Sequence, residues 1–129
     1  MRAHLFILVL AGFVLFDPAL ARAQPYGLPC ELTPEDIRSL ANPRTEVNRQ
    51  KYTPQTFASI PDDAKKNLCT ARRLVRRVKE AGGAAADHLT YDDIPLGLSR
   101  YVTEEEYRVV GPVVRRFMVR EMQKKGIGR

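Results

Sequence analysis

The fold of this 129-residue chain is decided by residues 61–81, which read PDDAKKNLCTARRLVRRVKEA. At about 100° of rotation per residue, the apolar residues of this segment fall on one narrow stripe with alternating spacings of four and three. The stripe consists of Ala64, Leu68, Ala71, Val75 and Val78, and Leu74 widens it on one side. A proline and two aspartates favour a helix start, and the glycines at 82 and 83 favour a stop. The pattern predicts one long helix that packs against other helices.

A basic flank and a cysteine lie beside this stripe. The flank carries Lys65, Arg72, Arg73, Arg76 and Lys79. Cys69 lies among these residues, more than about 90° from the centre of the stripe. We expect either that Cys69 bonds to a segment lying across the basic flank, or that it is a thiol whose thiolate form the nearby cations favour.

The N-terminus has the pattern of a secretory signal peptide. A short basic start is followed by an apolar run at residues 5–16, LFILVLAGFVLF, and then by Ala21-Arg22-Ala23. This order of segments predicts cleavage after Ala23 and a secreted or periplasmic location, with residues 1–23 as leader and 24–129 as a single exported domain. The apolar run is shorter than the roughly 20 residues that span a bilayer. An uncleaved anchor is the alternative.

The two cysteines of the chain, Cys30 and Cys69, both follow the predicted leader. Cysteine pairs in exported proteins usually form disulfides, so we expect a Cys30–Cys69 bond. The arm at residues 24–32, rich in proline and glycine, would then lie over the basic flank. That arrangement would bring Glu31, Glu35 and Asp36 near the arginines of the long helix.

The remainder of the chain is predicted to be helical or irregular. Thr33-Pro34 starts a short helix that ends at Asn42-Pro43, and residues 44–52 are expected to form a surface loop. Thr53-Pro54 starts a further turn that buries Phe57 and Ile60. Residues 91–102 are expected to be an apolar loop covering the core.

The last helix is predicted from the capping box at Thr103–Glu106 to about Lys125, with a kink or split at Gly111-Pro112. The fold class is therefore all-α: two main helices, two short ones, an irregular N-terminal arm and one disulfide.

The net charge of +6 points to an anionic partner. Outside the cytoplasm this charge does not indicate specific nucleic-acid binding; it suits an acidic protein or an anionic component of the envelope or cell surface. The predicted partner-binding residues are Arg72, Arg73, Arg76, Arg77, Lys79, Arg115, Arg116 and Arg120. A homodimer through the apolar C-terminal helix is a further expectation. A generic solubilising surface is the alternative to any binding role.

No strong catalytic or metal-binding motif occurs in the sequence, and no cofactor or metal is expected. Asp87, His88, Asp92 and Asp93 are the one polar cluster with conceivable acid–base use, but their spacing matches no ligand pattern. Turn and cap hydrogen bonds explain the aspartates more simply.

Three functions remain open on these grounds. The chain binds an acidic partner protein as an accessory subunit, chaperone or effector; or its arginines bind anionic lipid or polysaccharide surfaces; or it is a small enzyme that uses the region from Asp87 to Asp93. The first is the preferred hypothesis. The third is the least favoured, because no catalytic motif supports an enzyme.

Overall fold

The computed structural model describes residues 27–42, 52–53 and 56–126. These residues form three α-helices, which we name α1 (Pro34–Ala41), α2 (Asp62–Ala81) and α3 (Glu104–Lys124). Four 3₁₀ turns connect them: Phe57–Ser59, Gly82–His88, Tyr91–Asp93 and Leu98–Arg100. No strand occurs in these ranges, and the predicted all-α class with two main helices is confirmed. The second short helix expected after Thr53 is a single 3₁₀ turn.

The central helix α2 begins and ends close to the predicted positions. Pro61 is its N-cap rather than its first helical residue, and Asp62 and Asp63 occupy the first turn. Gly82 follows with φ of 61°, and its N–H donates to the carbonyl of Val78. Only glycine adopts this backbone region without strain, which explains why the α-helix stops there.

Around its middle, α2 is buried on every side. Residues 68–72 are all buried, including Cys69 and Arg72, which lie off the apolar stripe. Residues of α2 belong to two separate apolar clusters. One contains Leu74, Val75, Val78, Ala85, Ala86, Leu89, Val102, Val110, Val113 and Phe117. The other contains Leu28, Leu32, Leu40, Tyr52, Phe57, Leu68, Cys69, Ala71 and Tyr101.

The N-terminal arm is bonded to α2 as predicted. Cys30 and Cys69 form a disulfide with a Cα–Cα distance of 5.8 Å, within the usual range for such bonds. Leu28 and Leu32, on either side of Cys30, are both buried in the second cluster. The arm therefore supplies part of the core, and the alternative of a free Cys69 thiol is wrong.

The helix α3 runs without a break through Gly111-Pro112, so the predicted split is wrong. Pro112 lies on the exposed side of α3. There the carbonyl that loses its helical partner can bond to water, which removes one of the two costs of a helical proline, and whether the helix is kinked stays a prediction. The capping box at Thr103 and the C-terminal end near Lys125 are confirmed.

Several predictions fall partly or wholly outside the described residues. The leader, its cleavage site and most of the 44–52 loop lie there, so they stay predictions. Tyr52 at the end of that loop is buried and packs against the rings of Phe57 and Tyr101, which corrects its assignment to the surface.

Among the residues that the structure describes, no helix has the length and apolar character needed to cross a membrane.

The disulfide closes a loop with a sequence separation of 39. We predict that Cys30→Ala/Cys69→Ala lowers the free energy of unfolding by roughly 4 kcal/mol, because the unfolded chain regains the entropy of that loop. Urea denaturation with and without reductant measures this difference. Reductant should destabilise the unmodified protein and leave the double variant unchanged. Equal stability of the two oxidised proteins would contradict the prediction.

Candidate functional site

Arg72 is the centre of a buried ionic network that joins the three helices. Its side chain is 1% exposed. Nε donates to Asp36 Oδ1 of α1 at 2.8 Å, and Nη1 and Nη2 donate to the two carboxylate oxygens of Glu106 of α3 at 2.8 and 2.9 Å. Nη1 also donates to the carbonyl of Tyr101 at 3.0 Å. Arg72 is therefore buried against its own chain, and in this structure its side chain is not exposed to a partner.

Both acids that hold Arg72 are also helix caps. Asp36 is the third residue of α1 and accepts the backbone N–H of Thr33 at 3.0 Å, while the Thr33 hydroxyl accepts the N–H of Asp36. Glu106 makes the same reciprocal pair with Thr103 at the start of α3. Two capping boxes thus converge on one guanidinium, and each helix start is fixed relative to α2.

The electrostatics of the network favour the charged forms. Burial alone would raise the pKa of Glu106, but hydrogen bonds from Arg72, from the Thr103 N–H and from the Ser39 hydroxyl outweigh it and lower the pKa from 4.5 to about 2. Burial would lower the pKa of Arg72, but Glu106 and Asp36 raise it above its usual value. The pair stays ionised because each charge is fully hydrogen-bonded.

Three of the six remaining cations of α2, Arg76, Arg77 and Lys79, also pair with carboxylates of the described residues. Arg76 binds the second oxygen of Asp36, and Lys79 binds Glu35 and lies 3.6 Å from Glu106. Acidic residues that follow the N-terminal arm in the chain were predicted to lie near the basic flank of α2. This is confirmed for Glu35 and Asp36.

Arg77 on the next face of α2 lies 3.1 Å from Asp93. Arg73 is exposed, and no carboxylate pairs with it among the described residues. The basic flank predicted as a docking surface is mostly occupied by carboxylates of the same chain.

The predicted arginines of α3 have different surroundings. Arg115 and Arg116 are exposed. Arg116 donates to the carbonyl of Gly83 at 3.2 Å, and Arg115 has no carboxylate partner in the described part of the chain. Arg120 has two contacts within the chain. Its Nη1 lies 3.4 Å from Asp87 Oδ1, and its Cζ lies 5.5 Å from the centre of the Phe117 ring.

These side chains share the outward face of the C-terminal half of α3. We name this surface the α3 basic face, and it consists of Pro112, Arg115, Arg116, Val119, Arg120 and Gln123, with Asp87 at its edge. It is a shallow, open surface. It contains arginines together with an exposed valine, which is a composition suited to contact with another molecule.

A second concavity lies between α1 and α3, with a volume of about 410 Å³. Val75, Val109 and Val110 are its apolar lining residues, and the capping acid Glu106 also lines it. Arg38, Lys79, Glu35 and Glu105 line it as well, so cations and anions are mixed. This mixture selects no one class of ligand.

The structure separates the polar residues of the Asp87–Asp93 region. Asp87 pairs with Arg120, whereas Asp93 accepts the Thr90 N–H at 2.8 Å and pairs with Arg77. Burial would raise the pKa of Asp93, but Thr90 and Arg77 lower it below its usual value. Within the described ranges, no group of three or more His, Cys, Asp or Glu side chains is placed to hold a metal ion.

No protein-family model, no curated protein and no solved structure matches this chain. Its function is therefore argued from the geometry of its own residues.

The sequence reasoning missed the ionic network. Asp36 was predicted to lie near the basic flank, but Glu106 was predicted only as a helix-start residue, and Ser39, which donates to Glu106 at 2.9 Å, was not singled out. One signal was present: Thr33 and Thr103 are each followed three residues later by an acid. An arginine next to the apolar stripe, in a chain with two such acids, is a candidate for burial between them.

We predict that Arg72→Met destabilises the protein by about 3–5 kcal/mol, because it leaves the carboxylates of Asp36 and Glu106 buried without their partner. Chemical denaturation measures the loss. The matched variant Arg72→Met/Glu106→Gln should be more stable than Arg72→Met, since one of the two orphaned charges is removed. A double variant less stable than the single one would refute this account.

The lowered pKa of Glu106 makes stability depend on pH. Because the folded value of about 2 lies below the ordinary value of 4.5, the contribution of Glu106 is complete above about pH 4.5 and is lost as the pH falls toward 2. A shift of this size corresponds to stabilisation on the order of 3 kcal/mol. We predict that Glu106→Gln flattens the fall in unfolding free energy between about pH 5 and about pH 2, relative to Glu105→Gln as control. Parallel curves for the two variants would contradict the assignment.

Proposed function

We propose that this chain is a small, exported, non-enzymatic helical protein that binds an acidic partner protein through the α3 basic face. The observation that carries the proposal is the contrast between the two basic surfaces. Carboxylates of α1 neutralise Arg72, Arg76 and Lys79, whereas Arg115 and Arg116 point outward without a carboxylate partner among the described residues.

The difference between the two surfaces affects binding, because a cation already paired with a carboxylate of its own chain contributes little to the recognition of an acidic partner. A partner that approached α2 would compete with Asp36 and Glu35 for the same cations. A partner that approached α3 meets guanidinium groups that keep their hydrogen-bonding capacity for a carboxylate. The proposed interface therefore narrows from the eight residues predicted from the sequence to Arg115, Arg116 and the surface around them.

The apolar residues of the same face favour a protein over a purely electrostatic ligand. Val119 is 46% exposed and lies between the arginines. Arginine combined with exposed apolar side chains is typical of protein interfaces. An anionic polymer would need only the charges, and its binding would fall steeply with salt.

Export remains part of the proposal and rests on the leader pattern at residues 1–23. The disulfide is compatible with it, because such bonds persist in oxidising compartments. The roles that fit a small non-enzymatic protein of this kind are accessory subunit, chaperone or effector.

Site-specific photo-crosslinking in the native cell tests the proposal. A photoreactive residue at Val119 should give a discrete adduct with a protein that has an acidic surface, and one at Ala58, which is exposed on the far turn Phe57–Ser59, should not. Arg115→Glu/Arg116→Glu should abolish the adduct because opposite charges now repel.

The matched control Arg38→Glu/Lys66→Glu changes the net charge equally at exposed positions elsewhere. It should keep the adduct. Loss of the adduct in both double variants, or no discrete adduct at Val119, would overturn the proposed interface. Retention on anionic polymer that disappears at physiological salt would favour the electrostatic alternative instead.

A further inference from the structure

A line of exposed apolar side chains runs along α3 beside its basic face. Tyr107, Met118 and Met122 are 43%, 37% and 44% exposed, and Val114 is half-buried between them. Their spacing, with Gly111 included, is four, three, four and four residues. This is the seam spacing by which one helix packs against another. We name Tyr107, Gly111, Val114, Met118 and Met122 the α3 apolar seam.

The seam is continuous where it passes the glycine. A Cβ atom at Gly111 would lie 3.4 Å from Cε1 of Tyr107, so the tyrosine ring lies against the glycine backbone. The ring covers the space that a larger residue would fill. The methionines toward the C-terminal end are flexible and polarisable, and such side chains adapt to the surface of a partner helix.

The solvent-facing edge of the seam is basic. Arg108 and Arg115 are seven residues apart and therefore lie on the same side of the helix, next to the seam. Arg108 pairs with Glu104 at 3.1 Å, but both side chains are well exposed, and such a pair gains little. Arg115 has no such partner among the described residues. At the C-terminal end, Lys124 pairs with Glu121 at 3.2 Å and Lys125 lies over the Tyr91 ring.

The charge on this edge distinguishes two possible occupants of the seam, a second copy of the chain and a different partner protein. In a two-fold symmetric pair of antiparallel helices, each edge meets the same edge of the other copy. Arg108 and Arg115 of one copy would then face the same arginines of its partner. Like charges placed this way disfavour the homodimer that the apolar character of α3 alone suggested, and they favour an occupant with acidic edges.

We propose that the α3 apolar seam binds an amphipathic helix of the partner protein whose apolar face is bordered by aspartate or glutamate. This inference rests on the proposed function and specifies its partner. The partner helix lies along Tyr107, Val114, Met118 and Met122, and its acids pair with Arg115 and Arg108. Apolar contact supplies most of the affinity, and the charges select the partner and its orientation.

Fluorescence anisotropy with a synthetic peptide tests the inference. The probe is a labelled amphipathic peptide with leucines along one face and glutamates on the edges, and its counterpart carries lysines on the edges. The exported protein should bind the glutamate peptide at physiological salt, and bind it more than about tenfold more tightly than the lysine peptide. Arg115→Glu should reduce or reverse that preference.

Met118→Gln/Met122→Gln should weaken binding of the glutamate peptide by about tenfold or more, because two apolar contacts are lost without a change in charge. The control is Leu96→Gln, which changes an exposed leucine (78% exposed) away from α3 and should leave the affinity unaltered. Equal affinity for the two peptides, or an unchanged affinity in the double methionine variant, would overturn the inference.

Two other occupants of the seam give distinct results. Sedimentation that detects a dimer of the protein, which Met118→Gln/Met122→Gln dissociates, would assign the seam to a second copy. Binding to phosphatidylglycerol vesicles that requires the same methionines, without binding of the glutamate peptide, would assign it to a membrane surface. Either result overturns the helix proposal.

The crosslinking experiment separates this inference from the proposed function. If the Val119 adduct forms but the glutamate peptide neither binds nor competes with it, the acidic partner stands and its helical form is wrong. If no adduct forms at Val119, the proposed function itself fails.

Discussion

The fold depends on one buried guanidinium that three helices must satisfy together. Arg72 can be buried only where acceptors surround it, and those acceptors come from Asp36, Glu106 and the Tyr101 carbonyl on separate elements. Removing a charge of this kind from water costs several kcal/mol unless its partners are in place. The alignment of α1 and α3 against α2 is therefore set by this network, and the disulfide fixes the arm on the same side of α2.

The same network explains the distribution of charge on the surface. A flank of α2 that carries several cations is partly neutralised, because α1 brings Glu35 and Asp36 against Arg72, Arg76 and Lys79. Among the described residues, exposed cations without a carboxylate partner include Arg73 on α2 and the adjacent pair Arg115 and Arg116 on α3. We propose that α3 is the binding face because it combines adjacent unpaired arginines with an exposed apolar seam.

Local features of the fold were predictable because they depend on neighbouring residues. The threonine caps at Thr33 and Thr103 and the glycine stop at Gly82 act over three or four residues, and the structure has all of them. The split expected at Pro112 is wrong. The energetic cost of a proline inside a helix depends on whether its side of the helix faces solvent or the core, and Pro112 is exposed. The surface position predicted for Tyr52 failed for a related reason: its burial depends on Phe57 and Tyr101, and Tyr101 lies far along the chain.

Sequence alone determined the helical class, the extent of the long helices and the pairing of the two cysteines, because periodicity, capping and the number of cysteines are properties of the chain itself. Only the tertiary structure decided which arginines meet carboxylates of the same molecule. Arg72 and Arg115 look alike in the sequence, and both lie on helices among other arginines. One is buried and the other faces solvent, because the position of a charge relative to distant acids is set by how the helices pack.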